Sequence, residues 1–230
     1  MNRTLLFALA LAVIPVGIDA QDTPSDSCSD INLASPLEDV RPCADQGDAG
    51  AQSALGVMYA TGEGVPQDGA EALRWFTLAA DQGYAPAQNN LGVAYSGGIG
   101  VPQDYAEAER WWRLAAEQGN ASAQRNLGLM YARGDGVPQD YAEAERWWRL
   151  AADQGDARAQ NDLGLMYAQG LGVPEDIVLA YMWFNLAEDR GNESALDNKD
   201  FAEQQMTREQ IAEAQRLSRE WLEAHLPGGN

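Results

Sequence analysis

Three sets of side chains in this sequence have types and spacings that invite a chemical reading. The run Arg-Trp-Trp-Arg occurs at positions 110–113 and again at 146–149, the kind of basic, aromatic patch that binds nucleic acid or an anionic membrane. Cys28 and Cys43 are the only cysteines, one disulfide or two thiols. His225 is the only histidine and Lys199 the only lysine, so a general base, a metal ligand or an amine nucleophile of those types has a single source.

Charge argues against the first reading. The 230 residues include 35 acidic and 15 basic side chains, a formal net charge of -20. Such a surface repels phosphate backbones, because nucleic-acid affinity comes largely from Lys and Arg displacing counterions. A basic protein or peptide is attracted instead.

The remaining inventory is thin. One histidine and two cysteines give no zinc-ligand spacing. A Ser-His-Asp arrangement would have to use His225, which reads as a solvated tail residue. The glycines of "SGGIG" at Ser96 and its counterparts read as turns, and no G-K-[ST] phosphate loop exists. Acidic pairs such as Glu107 and Glu109 fall on regular helices, where they read as solvated faces and caps. The sequence therefore offers no catalytic residue, no metal site and no cofactor site.

The elements that position these residues follow from a repeat. Seventeen residues from Gly100 to Ala116 recur letter for letter from Gly136 to Ala152, a spacing of 36. The chain aligns with itself as four units, 51–86, 87–122, 123–158 and 159–194. A fixed period of this size indicates a solenoid, in which each unit buries its apolar face against its neighbours.

Each unit reads as two antiparallel helices. In the first, Ala87, Leu91 and Tyr95 share one face, and Gly56, Gly92, Gly128 and Gly164 recur mid-helix. Glycine there costs about 1 kcal/mol relative to alanine, so its recurrence predicts a close helix crossing that a β-carbon would block. Asp68, Asp104, Asp140 and Asp176 are expected to cap the second helix, with Glu71, Glu107 and Glu143 three residues on in capping-box order. On that helix Ala108, Trp111, Trp112, Ala115 and Ala116 form an inward stripe. The tryptophans are therefore expected to be core. Arg110 and Arg113 face outward, with Glu109 and Glu117 four residues on either side of Arg113.

The ends read differently. Residues 1–20 have a basic start at Arg3, an apolar run from Leu5 to Ile18 and a small-residue cleavage site at Ala20, an export signal. Residues 21–34 read as a flexible segment. Residues 35–50 read as an N-terminal capping helix opened by Ser35, Pro36 and Glu38. Residues 195–226 read as C-terminal capping helices, the last capped by Thr207, and 227–230 as a tail. Export and closeness in sequence favour a Cys28–Cys43 disulfide.

The pattern A-x-x-x-L-G-x-x-Y-x-x-G-x-G-V-x-x-D…A-x-x-W-(W/F)-x-x-A-A-x-x-G resembles the Sel-one-like repeat family, relatives of the tetratricopeptide repeats, from residue 45 to about 194. The fourth unit drifts: "IVLAYMWFNLAEDRG" at Ile177 puts Leu179 where the other units have glutamate. The resemblance implies an all-α, right-handed α-solenoid whose first helices line a concave surface. Carried over by motif, the ligand-facing positions are Ser53, Val57 and Thr61; Asn89, Val93 and Ser96; Arg125, Leu129 and Arg133; and Asn161, Leu165 and Gln169. Asn89, Arg125 and Asn161 form a polar row beside the aliphatic row Val57, Val93, Leu129 and Leu165. Amides can bond a peptide backbone in both senses and an arginine can take a carboxylate, so the surface suits an extended peptide.

The resemblance also implies an adaptor or scaffold in the periplasm or outside a bacterial cell, binding a protein or peptide, with no nucleic acid and no stable membrane anchor. Such a protein would be a monomer or a component of a larger complex. Two alternatives stand beside it: a structural subunit of an envelope assembly, and a hydrolase of peptidoglycan or β-lactams, a label given to some exported relatives. The S-x-x-K motif of serine β-lactamases is missing, because Leu196 stands three residues before Lys199.

Overall fold

A computed structural model describes Cys28, Ile31 and residues 35–225. The expected export signal at 1–20, the expected flexible segment at 21–34 apart from Cys28 and Ile31, and the tail at 227–230 lie outside the described residues. Among the described residues the chain is all helical, with eleven helices and no strand. Helix α1 (Leu37–Asp45) precedes four antiparallel pairs: α2 (Ala49–Thr61) with α3 (Gly69–Asp81), and α4 (Ala85–Gly97) with α5 (Tyr105–Glu117). The third pair is α6 (Ala121–Arg133) with α7 (Tyr141–Asp153), and the fourth is α8 (Ala157–Gln169) with α9 (Ile177–Glu188). Helices α10 (Glu193–Glu203) and α11 (Arg208–His225) close the chain. Each helix packs on its sequence neighbours up to α10, the arrangement of an α-solenoid.

The recurring glycine is explained by its neighbour. A β-carbon built on Gly92 or Gly128 would lie 2.4 or 2.3 Å from the ring of Trp112 or Trp148, and on Gly56 or Gly164 2.5 or 2.4 Å from Phe76 or Phe184. The helices of a pair can cross this closely only where the first has no side chain. The indole Nε1 atoms of Trp112 and Trp148 then donate to the carbonyl oxygens of Asn89 and Arg125, both at 3.2 Å.

Asp68, Asp104, Asp140 and Asp176 do cap the second helices, each accepting two backbone N–H bonds. The capping box is only half made. The backbone N–H of each capping aspartate donates to the carbonyl oxygen of Tyr59, Tyr95, Tyr131 or Tyr167 on the preceding helix, which leaves no N–H for a returning glutamate. Glu71, Glu107 and Glu143 turn instead to Arg74, Arg110 and Arg146 one turn on, at 2.9–3.0 Å. At the N-terminus, α1 begins at Leu37 with Pro36 in the cap position, one residue later than the capping-box order suggests. Thr207 and Gln210 do form a reciprocal box on α11.

Each member of the Arg-Trp-Trp-Arg run therefore has a structural place. The first arginine stacks on the first tryptophan, with Arg110 at 4.3 Å over Trp111 and Arg146 at 4.3 Å over Trp147. The second tryptophan fills the glycine notch. The second arginine ties its unit to the next: Arg113 pairs with Glu109 rather than Glu117 and also donates to Tyr131, and Arg149 does the same with Glu145 and Tyr167. Trp112, Trp147 and Trp148 are buried, while Trp111 is half-buried beneath its arginine.

A second ladder runs along the chain. Gln52, Gln88, Gln124 and Gln160 are buried, and each donates to the last turn of the preceding second helix, at Ala44, Ala80, Ala116 and Ala152. In three units a glutamine at the end of the unit's own second helix donates back to it: Gln82 to Gln52, Gln118 to Gln88 and Gln154 to Gln124.

The drift of the fourth unit has a packing reason. Helix α11 lies against α9 rather than pairing with α10. Trp221 meets Trp183 edge-on at 5.9 Å, and Ser218 donates to the carbonyl of Met182. Leu179, Met182 and Leu186 stand where the third unit has Glu143, Arg146 and Leu150, so the solvent face of a second helix has become an apolar seat for α11. Lys199 and Asp200 replace the core leucine and the glycine on α10, which stops the stacking, and Lys199 pairs with Glu188. At the other end Cys43, buried on α1, is disulfide-bonded to Cys28.

Candidate functional site

The residues carried over as ligand-facing all lie on α2, α4, α6 and α8. Val93, Arg133, Gln169 and Thr61 are exposed; Val57, Asn89, Ser96, Arg125, Leu129 and Leu165 are half-buried; Ser53 and Asn161 are buried. The polar row is engaged within the protein. Asn89 accepts from Asn126 at 3.1 Å, Arg125 donates to Asp162 at 2.8 Å, and Asn161 accepts from Asn198 at 2.8 Å. Each bond joins one first helix to the next, so this row fastens the face together. Burial raises the Asp162 carboxyl above the ordinary carboxylate range, against the pull of Arg125.

In the aliphatic row Val93 is exposed, while Val57, Leu129 and Leu165 are half-buried against the core, and the row is longer than the motif suggested. Phe201 stands 36 residues after Leu165 and is 67% exposed. The repeat register carries that signal: α10 is a fifth first helix, and its member of the row is aromatic.

Two clefts flank this face. One, of about 360 Å³, is neutral and includes Ser53, Val57, Tyr84, Asn89 and Asn90. The other, of about 500 Å³, lies between the starts of α8 and α10 and includes Arg125, Arg158, Asn161, Arg190 and Ser194. Arg158 and Arg190 were missed by the motif because they lie outside the transferred positions. Counting back in steps of 36 exposes them: the places equivalent to Arg158 hold Ser122, Pro86 and Gly50, and those equivalent to Arg190 hold Gln154, Gln118 and Gln82.

Arg190 breaks the glutamine ladder. It donates to the carbonyl of Leu186 and stacks over Trp221 at 5.2 Å. The Oε1 atom of Gln160, a residue with 0% exposure, is left with no donor. An unmet buried acceptor costs about 1–3 kcal/mol.

Glu109 is held below its ordinary range by its bonds to Arg113 and Tyr131, against burial, and Tyr131 is raised by burial and by Glu109. These shifts belong to the inter-unit node, in which all three side chains are mutually bonded. His225 ends α11, stacked on Trp221 at 4.0 Å and 3.6 Å from Asp153. Among the described residues no group of three His, Cys, Asp or Glu side chains could hold a metal. No described helix is long and apolar enough to cross a membrane.

The repeat is recognised by the family model of the Sel1 repeat at residues 49–84, 85–120, 121–156 and 157–192. This chain belongs to the Sel1 repeat family. The family frame starts two residues before the Ala-Gln frame read from the sequence, where α2, α4, α6 and α8 begin. Sel1 repeats are helical scaffolds that generally mediate protein interactions.

The chain is similar to c5321, a protective antigen of uropathogenic Escherichia coli with the same repeat fold, at 43% identity and a TM-score of 0.65 over 71% of this chain and 35% of that one. It is similar to a Sel1 repeat protein of Oxalobacter formigenes at 41% identity and a TM-score of 0.61, over 70% of this chain and 46% of that one. This chain thus spans less than half the length of either. The immunity protein Pa5087 of Pseudomonas aeruginosa shares the fold at 20% identity and a TM-score of 0.54, over 87% of this chain and 78% of that one. No curated protein matches the chain.

Proposed function

We propose that this Sel1 repeat protein is a non-catalytic scaffold of the bacterial cell envelope that holds an extended peptide or protein segment along its first-helix face. One observation carries the reading. The four units share a nearly fixed framework, yet along this face they differ in side chain while keeping an aliphatic residue at Val57, Val93, Leu129 and Leu165.

The second-helix face is committed elsewhere, since the arginines of α3, α5 and α7 are paired with glutamates one turn away. The export-like residues 1–20 and the Cys28–Cys43 disulfide support an oxidising compartment outside the cytoplasm. The non-catalytic reading rests on the engagement of its reactive groups, with Lys199 on Glu188 and His225 on Trp221.

A matched pair of variants tests the choice of face. Val93 on α4 is 40% exposed and Leu114 on α5 is 38% exposed. Val93→Glu and Leu114→Glu add the same charge at similar exposure, and each is expected to change stability by under about 0.5 kcal/mol. Val93→Glu should weaken partner capture by about tenfold or more, the loss of one well-placed apolar contact, while Leu114→Glu leaves it unchanged. The opposite ranking would place the binding surface on the second helices.

A further inference from the structure

Resting on the groove reading, we infer that the cleft between the starts of α8 and α10 seats a carboxylate of the bound peptide, held between Arg158 and Arg190. Three observations converge there.

The first is charge that deviates from the repeat. In a protein of net charge -20, the fourth unit puts arginine where the other three have Gly50, Pro86 and Ser122, and again where they have Gln82, Gln118 and Gln154. The two substitutions lie far apart in sequence and line one cleft.

The second is that these charges are unspent. Arg74, Arg110, Arg113, Arg146 and Arg149 each hold a glutamate. Among the described residues neither Arg158 nor Arg190 has a carboxylate within salt-bridge distance, which they share with Arg133, Arg208 and Arg219, but these two alone line one cleft. The acids of the lining are Asp162, which is engaged by Arg125 at 2.8 Å, and Glu193 at the rim. Arg190 lies over the Trp221 ring at 5.2 Å, a contact that leaves its charge without a counterion.

The third is the broken ladder. A glutamine at position 190 would donate to Gln160 as Gln154 does to Gln124 at 2.7 Å. The chain keeps arginine there and leaves the Gln160 Oε1 buried without a donor. Exceptions of this kind fall at functional or strained sites, and this one, unlike the unmet indole nitrogens of Trp75, Trp111 and Trp147, coincides with a break in the repeat. A guanidinium pair takes a carboxylate through charge-assisted, bidentate hydrogen bonds. The aliphatic row leads from the neutral cleft at Ser53 and Val57 toward this cationic end, which gives the groove a direction.

The test uses the full chain, ¹⁵N-labelled, in about 0.15 M salt so that long-range repulsion is screened. Three probe peptides are titrated: acetyl-Ser-Val-Ser-Val-Ser-Val as the free acid, the same sequence as the C-terminal amide, and acetyl-Ser-Val-Ser-Val-Asp-Val as the amide. The free acid is expected to shift the Nε–H signals of Arg158 and Arg190 saturably and to bind about tenfold or more tightly than the first amide. Recovery of that gain by the aspartate amide would assign the seat to an acidic side chain, and its absence to a C-terminus. Arg158→Gln with Arg190→Gln should abolish the gain. Arg190→Gln alone should bind more weakly yet melt no lower than the parent, because it restores the ladder.

If acid and amides bind alike, if none of the peptides shifts the cleft, or if the double variant keeps the gain, the carboxylate seat is wrong. Shifts confined to Val93 and Leu129 with all three peptides would overturn the seat and leave the groove standing. A fall in the melting temperature of Arg190→Gln with unchanged affinity would mean that Arg190 serves only to hold α11.

Discussion

Trp148→Ala is expected to lower the free energy of unfolding by about 3–5 kcal/mol, the usual cost of emptying a buried aromatic site. Trp148 is 6% exposed, lies in the notch over Gly128 and donates its indole N–H to the Arg125 carbonyl at 3.2 Å. Removing it opens a cavity between α6 and α7 and strips that carbonyl of its indole donor. Collapse is opposed by the neighbouring units, which hold α6 through the bond from Gln124 to the Ala116 carbonyl and α7 through the bond from Arg149 to Tyr167. Chemical denaturation followed by far-ultraviolet circular dichroism reads the loss. A loss under about 1 kcal/mol, with impaired binding, would mean that the tryptophan is a recognition surface rather than core.

Gly128→Ala should destabilise by about 2 kcal/mol, although alanine is the better helix former by about 1 kcal/mol. The added β-carbon would lie 2.3 Å from the Trp148 ring, which cannot retreat without giving up its bond to Arg125. The sign should reverse when the ring is gone: in a Trp148→Ala background, Gly128→Ala is expected to stabilise by up to about 1 kcal/mol. Additive losses in the double variant would show that the glycine is needed for some reason other than the indole.

These two residues also mark what a single sequence discloses. The glycine notch was legible because four copies place it at the same helical position, where its cost demands a reason. The aspartate caps were legible on the same ground. The capping box misled, because the competing acceptor, a tyrosine carbonyl on the preceding helix, becomes visible only when the pair is folded. Asn89, Arg125 and Asn161 read as donors free for a ligand. Their partners Asn126, Asp162 and Asn198 lie 37 residues on, one more than the repeat, on the next first helix.

The C-terminal end was the least legible part. The apolar drift of α9 was visible in Leu179, but it could not be assigned to α11 without knowing that α11 leaves α10 and folds onto α9. Arg190 shows the same limit from the other side. Its sequence difference is one letter, and its meaning depends on the glutamine ladder that it interrupts.

The central claim is that the partner lies along the first-helix face, and contact mapping tests it directly. A photo-crosslinking p-benzoylphenylalanine would replace Val93 in one preparation and Leu114 in another. Both would be irradiated in the presence of envelope extract, and adducts compared by mass. A single partner crosslinked from position 93 and absent from position 114 is the expected result. The same partner crosslinked from 114 and not from 93 would contradict it.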